Sequence, residues 1–163
     1  MRSDADRPDL DVSRVMAVSP AAIWAAWRDP SALERWWGPA GFASTVRELA
    51  FSSGGILDIV MRGPDGVEFM NIYDLEEVVP CSRITYVHRG SEEWGLAPSR
   101  TVVLIEPESS DDLRTKVTWR SYYASDEDRR RHLEDFQAER GARELLERLE
   151  AIATALQGLE PLY

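Results

Sequence analysis

Apolar residues recur at every second position in short runs as far as about Arg120, and at every third or fourth position beyond Ser125. Val12 to Val18 is the first run, rich in β-branched residues and closed by Ser19-Pro20, which predicts a strand leading into a helix. Ser19 can cap that helix, because a proline at the first helical position loses no intrahelical bond, and the helix reaches about Arg28. Asp29-Pro30 repeats the start signal, with Ser31 and Glu34 as an alternative capping box, and Gly38-Pro39 ends a second short helix.

The period of two then resumes over Thr45 to Leu49, Ile56 to Arg62, Val67 to Val79, Arg83 to Arg89, Arg100 to Glu106 and Leu113 to Arg120. Gly54-Gly55, Pro64-Asp65-Gly66, Pro80, Gly90, Pro98 and the acidic loop from Pro107 to Asp112 separate these runs. From Ser125, paired with Asp128 as a capped start, Leu133, Phe136, Leu145, Leu146, Leu149, Ile152, Ala153 and Leu156 trace one face of a single amphipathic helix that stops at Gly158 before Pro161. At 1.5 Å per residue its roughly thirty residues span about 45 Å. Hairpin-connected strands make an antiparallel sheet, so the expected fold is α+β: a curved antiparallel sheet of six to seven strands around a long C-terminal helix. Residues 1–10, with almost nothing to bury, are assigned to a flexible arm, 11–158 to the domain and 159–163 to a tail.

Composition narrows the functional classes. The chain has 163 residues and a net charge of −10, with 29 acidic against 19 basic side chains, so long-range repulsion from phosphate backbones and anionic headgroups argues against nucleic acid and membrane surfaces. No window approaches the apolar length needed to cross a bilayer. The lone Cys81 cannot pair within the chain and no apolar stretch follows Met1, which places the protein in the cytoplasm. Two histidines and one cysteine without clustered spacing give no metal site, no phosphate-binding loop or nucleophile elbow appears, and no cofactor or catalytic residue is assigned.

Four of the six tryptophans, Trp24, Trp27, Trp36 and Trp37, fall within fourteen residues. Such a cluster buries large apolar area with a few N–H groups that want acceptors, and it reads as packing that seals one end of the sheet, with Trp37 turned toward the interior. Val18-Ser-Pro-Ala-Ala-Ile-Trp24, Glu34-Arg-Trp-Trp-Gly-Pro-Ala-Gly-Phe42, Gly54-Gly55 before a strand and Met61-Arg-Gly-Pro-Asp-Gly66 resemble the homologues of the activator of heat-shock protein 90 ATPase, within the START-like helix-grip (SRPBCC) superfamily. The resemblance covers about residues 12–157. It implies a helix-grip fold with a hydrophobic cavity between sheet and C-terminal helix that takes a small hydrophobic or aromatic ligand. It also implies two alternatives: a stress-response co-chaperone that binds the ninety-kilodalton heat-shock chaperone and stimulates its ATPase, or a START-like cyclase or hydrolase. The chain departs from the family midway along the last helix, where Phe136, Ala138, Gly141 and Ala142 replace the usual tryptophans, so a reshaped pocket floor is expected.

Candidate cavity residues are Trp37 from the short helices and Met61, Met70, Ile72, Tyr86, His88 and Trp119 from the strands. Trp94, in a lid-like loop from Gly90 to Ser99, joins them, with Phe136 and Leu145 from the last helix. Leu57, Ile59 and Met61 share one face; alternation alone leaves either Met70 with Ile72, or Phe69, Asn71 and Tyr73, as the inward set of the next strand. A neutral His88 can hydrogen-bond a ligand, and His88 or Asp58 is the acid–base residue of the enzyme alternative. His132, beside Arg129 to Arg131, is expected on a solvated face, and Asp58, Asp74 and Glu76 at solvent-facing strand positions. An uncovered sheet edge invites a homodimer.

Overall fold

The computed structural model describes residues 7–111 and 113–159, so most of the expected arm and all but the first residue of the expected tail lie outside the described residues. One antiparallel sheet of seven strands organises the chain in the order β1-β7-β6-β5-β4-β3-β2. Its strands are β1 (Leu10–Met16), β2 (Ala43–Leu49), β3 (Gly55–Arg62), β4 (Glu68–Val79), β5 (Arg83–His88), β6 (Ser99–Pro107) and β7 (Thr115–Tyr122). Each of β2 to β7 pairs with its sequence neighbour, and β1 closes on β7 from the other end of the chain. The expected arm ends early: Leu10 already belongs to β1 and is buried, because pairing with Ser121 lets an apolar side chain reach the core.

Helices α1 (Pro20–Arg28) and α2 (Pro30–Trp36) follow β1, and each starts where its proline permits. The Ser19 hydroxyl accepts from the Ala22 N–H at 3.1 Å and the Asp29 carboxylate from the Ser31 N–H at 3.0 Å. Glu34 does not close a capping box. Its carboxylate accepts from the Val46 N–H at 2.6 Å, so it ties α2 to β2 and occupies a donor on an edge strand. Beyond β7, Ser125 caps a short α3 (Asp126–Arg130), the chain widens into a π-helical turn (Arg131–Asp135), and α4 runs over Ala138–Leu159.

The single thirty-residue helix is thus a correction: it breaks at Gln137, whose φ of 50° no helix interior tolerates. The apolar period continues across the break because both segments face the same layer, so periodicity could not reveal it. α4 packs on β1, α1 and α2. Leu146 and Leu149, both at most 1 % exposed, meet the sheet's inner face, where Val12, Ile59, Leu75, Ile84, Val103 and Val117 are equally buried. Each such aliphatic side chain stabilises the fold by roughly 1.5–3 kcal/mol through removal from water.

Trp27 sits at the centre of the tryptophan cluster. Its ring contacts Trp36, Trp37, Phe51, Tyr86 and Trp119 at centroid distances of 5.0 to 6.5 Å. Trp36 Nε1–H donates to the Ala26 carbonyl at 3.0 Å, whereas the Trp27 N–H has no hydrogen-bond partner among the described residues. Aromatic packing offsets that buried donor.

Candidate functional site

The first turns of α4 present Ala138, Gly141 and Ala142 where its later turns present leucines, and the missing volume is a pocket of about 500 Å³. A Cβ at Gly141 would meet nothing closer than Pro39 Cγ at 4.0 Å, so the helix leaves room there. Opposite α4, the wall is built in register across the sheet: Tyr73 faces His88, which faces Ser99, and in the next row Leu75, Tyr86, Thr101, Ser121 and Leu10 stand side by side. Period-two alternation aims all of them at the helix layer.

Nine of the ten candidate residues line this pocket: Trp37, Met61, Met70, Tyr86, His88, Trp94, Trp119, Phe136 and Leu145. Ile72 does not. On β4 it is Phe69, Asn71 and Tyr73 that point inward, so Ile72 lies on the sheet's outer face and Met70, 58 % exposed, reaches only the rim. A bulge after Leu75, where Glu77 rather than Glu76 pairs with Thr85, reverses the alternation and brings Val78 to the core side opposite Ile84. Trp24, Trp27 and Trp36 are buried behind the pocket and do not line it.

His88 is fully engaged. Its Nδ1 accepts the Gly90 N–H at 2.9 Å, which assigns the proton to Nε2, and Nε2–H donates to Asn71 Oδ1 at 2.8 Å. Burial, with the nearby His132 adding to it, lowers its pKa to about 4, so the ring is neutral at pH 7. Neither nitrogen is left to take a proton from a ligand. Asp58, the other acid–base candidate, lies on the opposite face of the sheet within 3.8 Å of Arg47, so no ionisable pair with His88 faces the pocket. Asp74 and Glu76 share that outer face, held by the forked guanidinium groups of Arg89 and Arg100. Hydrogen bonds from Arg89 keep Asp74 below the usual carboxylate range.

His132 is a second correction. It is not solvated: its ring stacks on Tyr123 at 4.2 Å and 7°, lines the pocket, and has its pKa lowered chiefly by burial. Hydroxyl groups supply the rest of the pocket's polarity. Thr101 and Ser121 share a hydrogen bond of 2.8 Å, and the phenolic oxygens of Tyr86 and Tyr123 lie close to Thr101 and Ser121 respectively. Burial raises the pKa of Tyr73 and Tyr86 far above the phenolic value and pushes Tyr123 up to about 12, so all three stay protonated.

The loop between β5 and β6 folds over the opening. Ser91 and Leu96 form a bridge, Trp94 packs on Phe69 at 5.0 Å, and the Arg131 guanidinium donates to the carbonyls of Trp94 at 2.6 Å and Gly95 at 2.7 Å. A second arginine, Arg148, donates to the carbonyls of Gly38, Pro39 and Arg35 and fixes the turn that carries Trp37. Sequence reasoning singled out neither arginine, nor Thr101, Ser121 and Tyr123, and named Tyr73 only within one of two alternative faces of its strand. Their partners are distant in sequence, and only strand register could have hinted at the hydroxyl row. Among the described residues, no group of three His, Cys, Asp or Glu side chains is placed to hold a metal ion. No helix is long and apolar enough to cross a membrane.

The sequence model of the family described as Activator of Hsp90 ATPase homolog 1-like protein matches residues 17–154. Solved structures agree. A protein of Arthrobacter aurescens superposes with a TM-score of 0.78 at 26 % identity, covering 89 % of this chain and 85 % of its own. The AHSA1 protein of Silicibacter pomeroyi gives 0.68 at 25 %, over 91 % and 98 %, and a Mycobacterium smegmatis protein 0.74 at 23 %, over 94 % and 91 %. No curated protein matches the chain. The chain belongs to the Activator of Hsp90 ATPase homolog 1-like family, with the START-like helix-grip fold.

Proposed function

We propose that this member of the Activator of Hsp90 ATPase homolog 1-like family binds a small, neutral, largely aromatic molecule in the pocket between the sheet and α4. One observation carries the reading: in a chain with 29 acidic and 19 basic side chains, none among the described residues lines the pocket. Its walls are instead aromatic rings and aliphatic groups, with hydroxyls and two neutral imidazoles. An ionised ligand entering such a site would lose its hydration without gaining a counter-charge, which costs several kcal/mol. A flat aromatic ligand trades water for ring faces already spaced for stacking. The volume suits a molecule of two to four fused rings.

The test is a titration with fluorene, a neutral tricyclic hydrocarbon, followed by intrinsic tryptophan fluorescence and by thermal unfolding. Saturable quenching through Trp37, Trp94 and Trp119, together with a rise in the unfolding temperature, is the expected result. Gly141→Leu fills the pocket from α4 and abolishes both signals while the folded far-ultraviolet spectrum is retained. Quenching that persists in Gly141→Leu, or no saturation in the wild type, overturns the proposal.

A further inference from the structure

The polar atoms of this pocket are not distributed as a general wetting of its walls; they have a direction. Tyr73 and Trp37 both line it, with ring centroids 5.3 Å apart at 76°. The Tyr73 oxygen lies near the indole N–H of Trp37, and because an indole carries one N–H and no acceptor, only Trp37 can be the donor of that pair. The Tyr73 hydrogen is thereby left over, and among the described residues no hydrogen bond takes it.

None of the nearby groups described takes it. Asn71 has its carbonyl oxygen on His88 Nε2–H and its Nδ2 on the Phe69 carbonyl at 3.1 Å, and His88 has its second nitrogen on Gly90. Tyr86, whose ring lies 5.1 Å from that of Tyr73, heads a row of neighbouring hydroxyls formed with Thr101, Ser121 and Tyr123. Only the bond between Thr101 and Ser121 is closed within that row, so it too keeps donors that are not committed. The pocket therefore holds uncommitted neutral donors, and among the described residues no cation lines it, a combination that suits an uncharged acceptor better than a carboxylate or phosphate.

Resting on the reading that the pocket binds a neutral aromatic molecule, we infer that its ligand is an aromatic carbonyl compound, a ketone or quinone, whose oxygen accepts the hydrogen bond of the Tyr73 hydroxyl. Tyr86 and its hydroxyl chain stand beside that oxygen and can supply a second donor, while the rings of Trp37 and Trp119 take the flat body of the ligand. Tyr73 acts as a donor at all ordinary pH, since burial keeps its phenol protonated.

Fluorenone and fluorene share one tricyclic skeleton and differ in a single carbonyl, so they separate this inference from the one beneath it. Tyr73→Phe keeps the ring and is expected to weaken fluorenone binding about tenfold while leaving fluorene within about twofold, the effect of one neutral hydrogen bond. A second readout needs no variant: the infrared carbonyl band of fluorenone bound to the wild-type protein lies below its position in hexane. Equal losses for both ligands, an unchanged fluorenone affinity in Tyr73→Phe, or an unshifted carbonyl band overturns the carbonyl assignment and leaves aromatic binding standing. Failure of the wild type to bind either compound overturns both.

Discussion

Two stretches of α4 face the same sheet and do opposite things. From Leu145 onward the helix sets Leu146, Leu149 and Ala153 into the core, and the aromatic plug around Trp27 closes the space behind the pocket. Before Leu145 it offers Ala138, Gly141 and Ala142, and the same sheet, now presenting Tyr73, His88 and Thr101, meets a hollow. Side-chain volume on one helix thus decides where the layers touch and where they part. Protein interiors pack to near-crystal density, so a space of about 500 Å³ persists only where the chain withholds the atoms to fill it. The packed stretch supplies the stability that lets the other remain open.

The sharpest way to break this contrast is to truncate one aromatic residue at each end. Trp27→Ala, at a site 1 % exposed amid five rings, is expected to cost about 3–5 kcal/mol in urea unfolding. Phe136→Ala, at a site 47 % exposed on the pocket rim, is expected to cost less than about 1 kcal/mol. Similar losses would mean that the rim is as much a part of the core as the plug.

Acid should act through the hollow end. An unfolded histidine takes up a proton near 6.5, but His88 in place resists until about 4, so in that window the unfolded chain binds more protons and stability falls as the pH drops. About 2 kcal/mol of this should be lost between pH 7 and pH 5, with His132 acting in the same direction. His88→Gln should flatten the profile over that range. A variant profile parallel to the wild type would show that His88 does not carry the proton linkage.

The smallest effect sharpens the account of the helix itself. Gly141→Ala adds a Cβ that meets only Pro39 Cγ at 4.0 Å, and it removes a flexible residue from a helix interior. It should stabilise the protein by about 0.5–1 kcal/mol in thermal or urea unfolding. A destabilising result would show that the space beside Gly141 is needed by the backbone rather than left for a ligand.

The two ends were also unequally legible. The plug could be read from Trp24, Trp27, Trp36 and Trp37 because it is local, and so could the caps at Ser19, Asp29 and Ser125, whose hydrogen bonds span two or three residues. The pocket wall was read only in part. Period two gives a strand two faces without labelling them, and the bulge after Leu75 together with an apolar Ile72 hid the choice that sends Phe69, Asn71 and Tyr73 inward. The break at Gln137 left no trace in the apolar pattern, since the residues on both sides of it cover the same layer.

By itself, then, the sequence determined the order of the strands and of the first helices, most of their starts and stops apart from the break at Gln137, and which side chains had to leave water, since these depend on neighbours a few positions apart. Tertiary structure alone decided which face of β4 is inner, that His132 turns in beside Tyr123, and that Arg131 and Arg148 clamp loops more than thirty residues away. It also decided that five hydroxyls from four strands and the segment after β7 gather at one wall. Those outcomes are set by register and by layer contacts, which join residues that no local pattern connects.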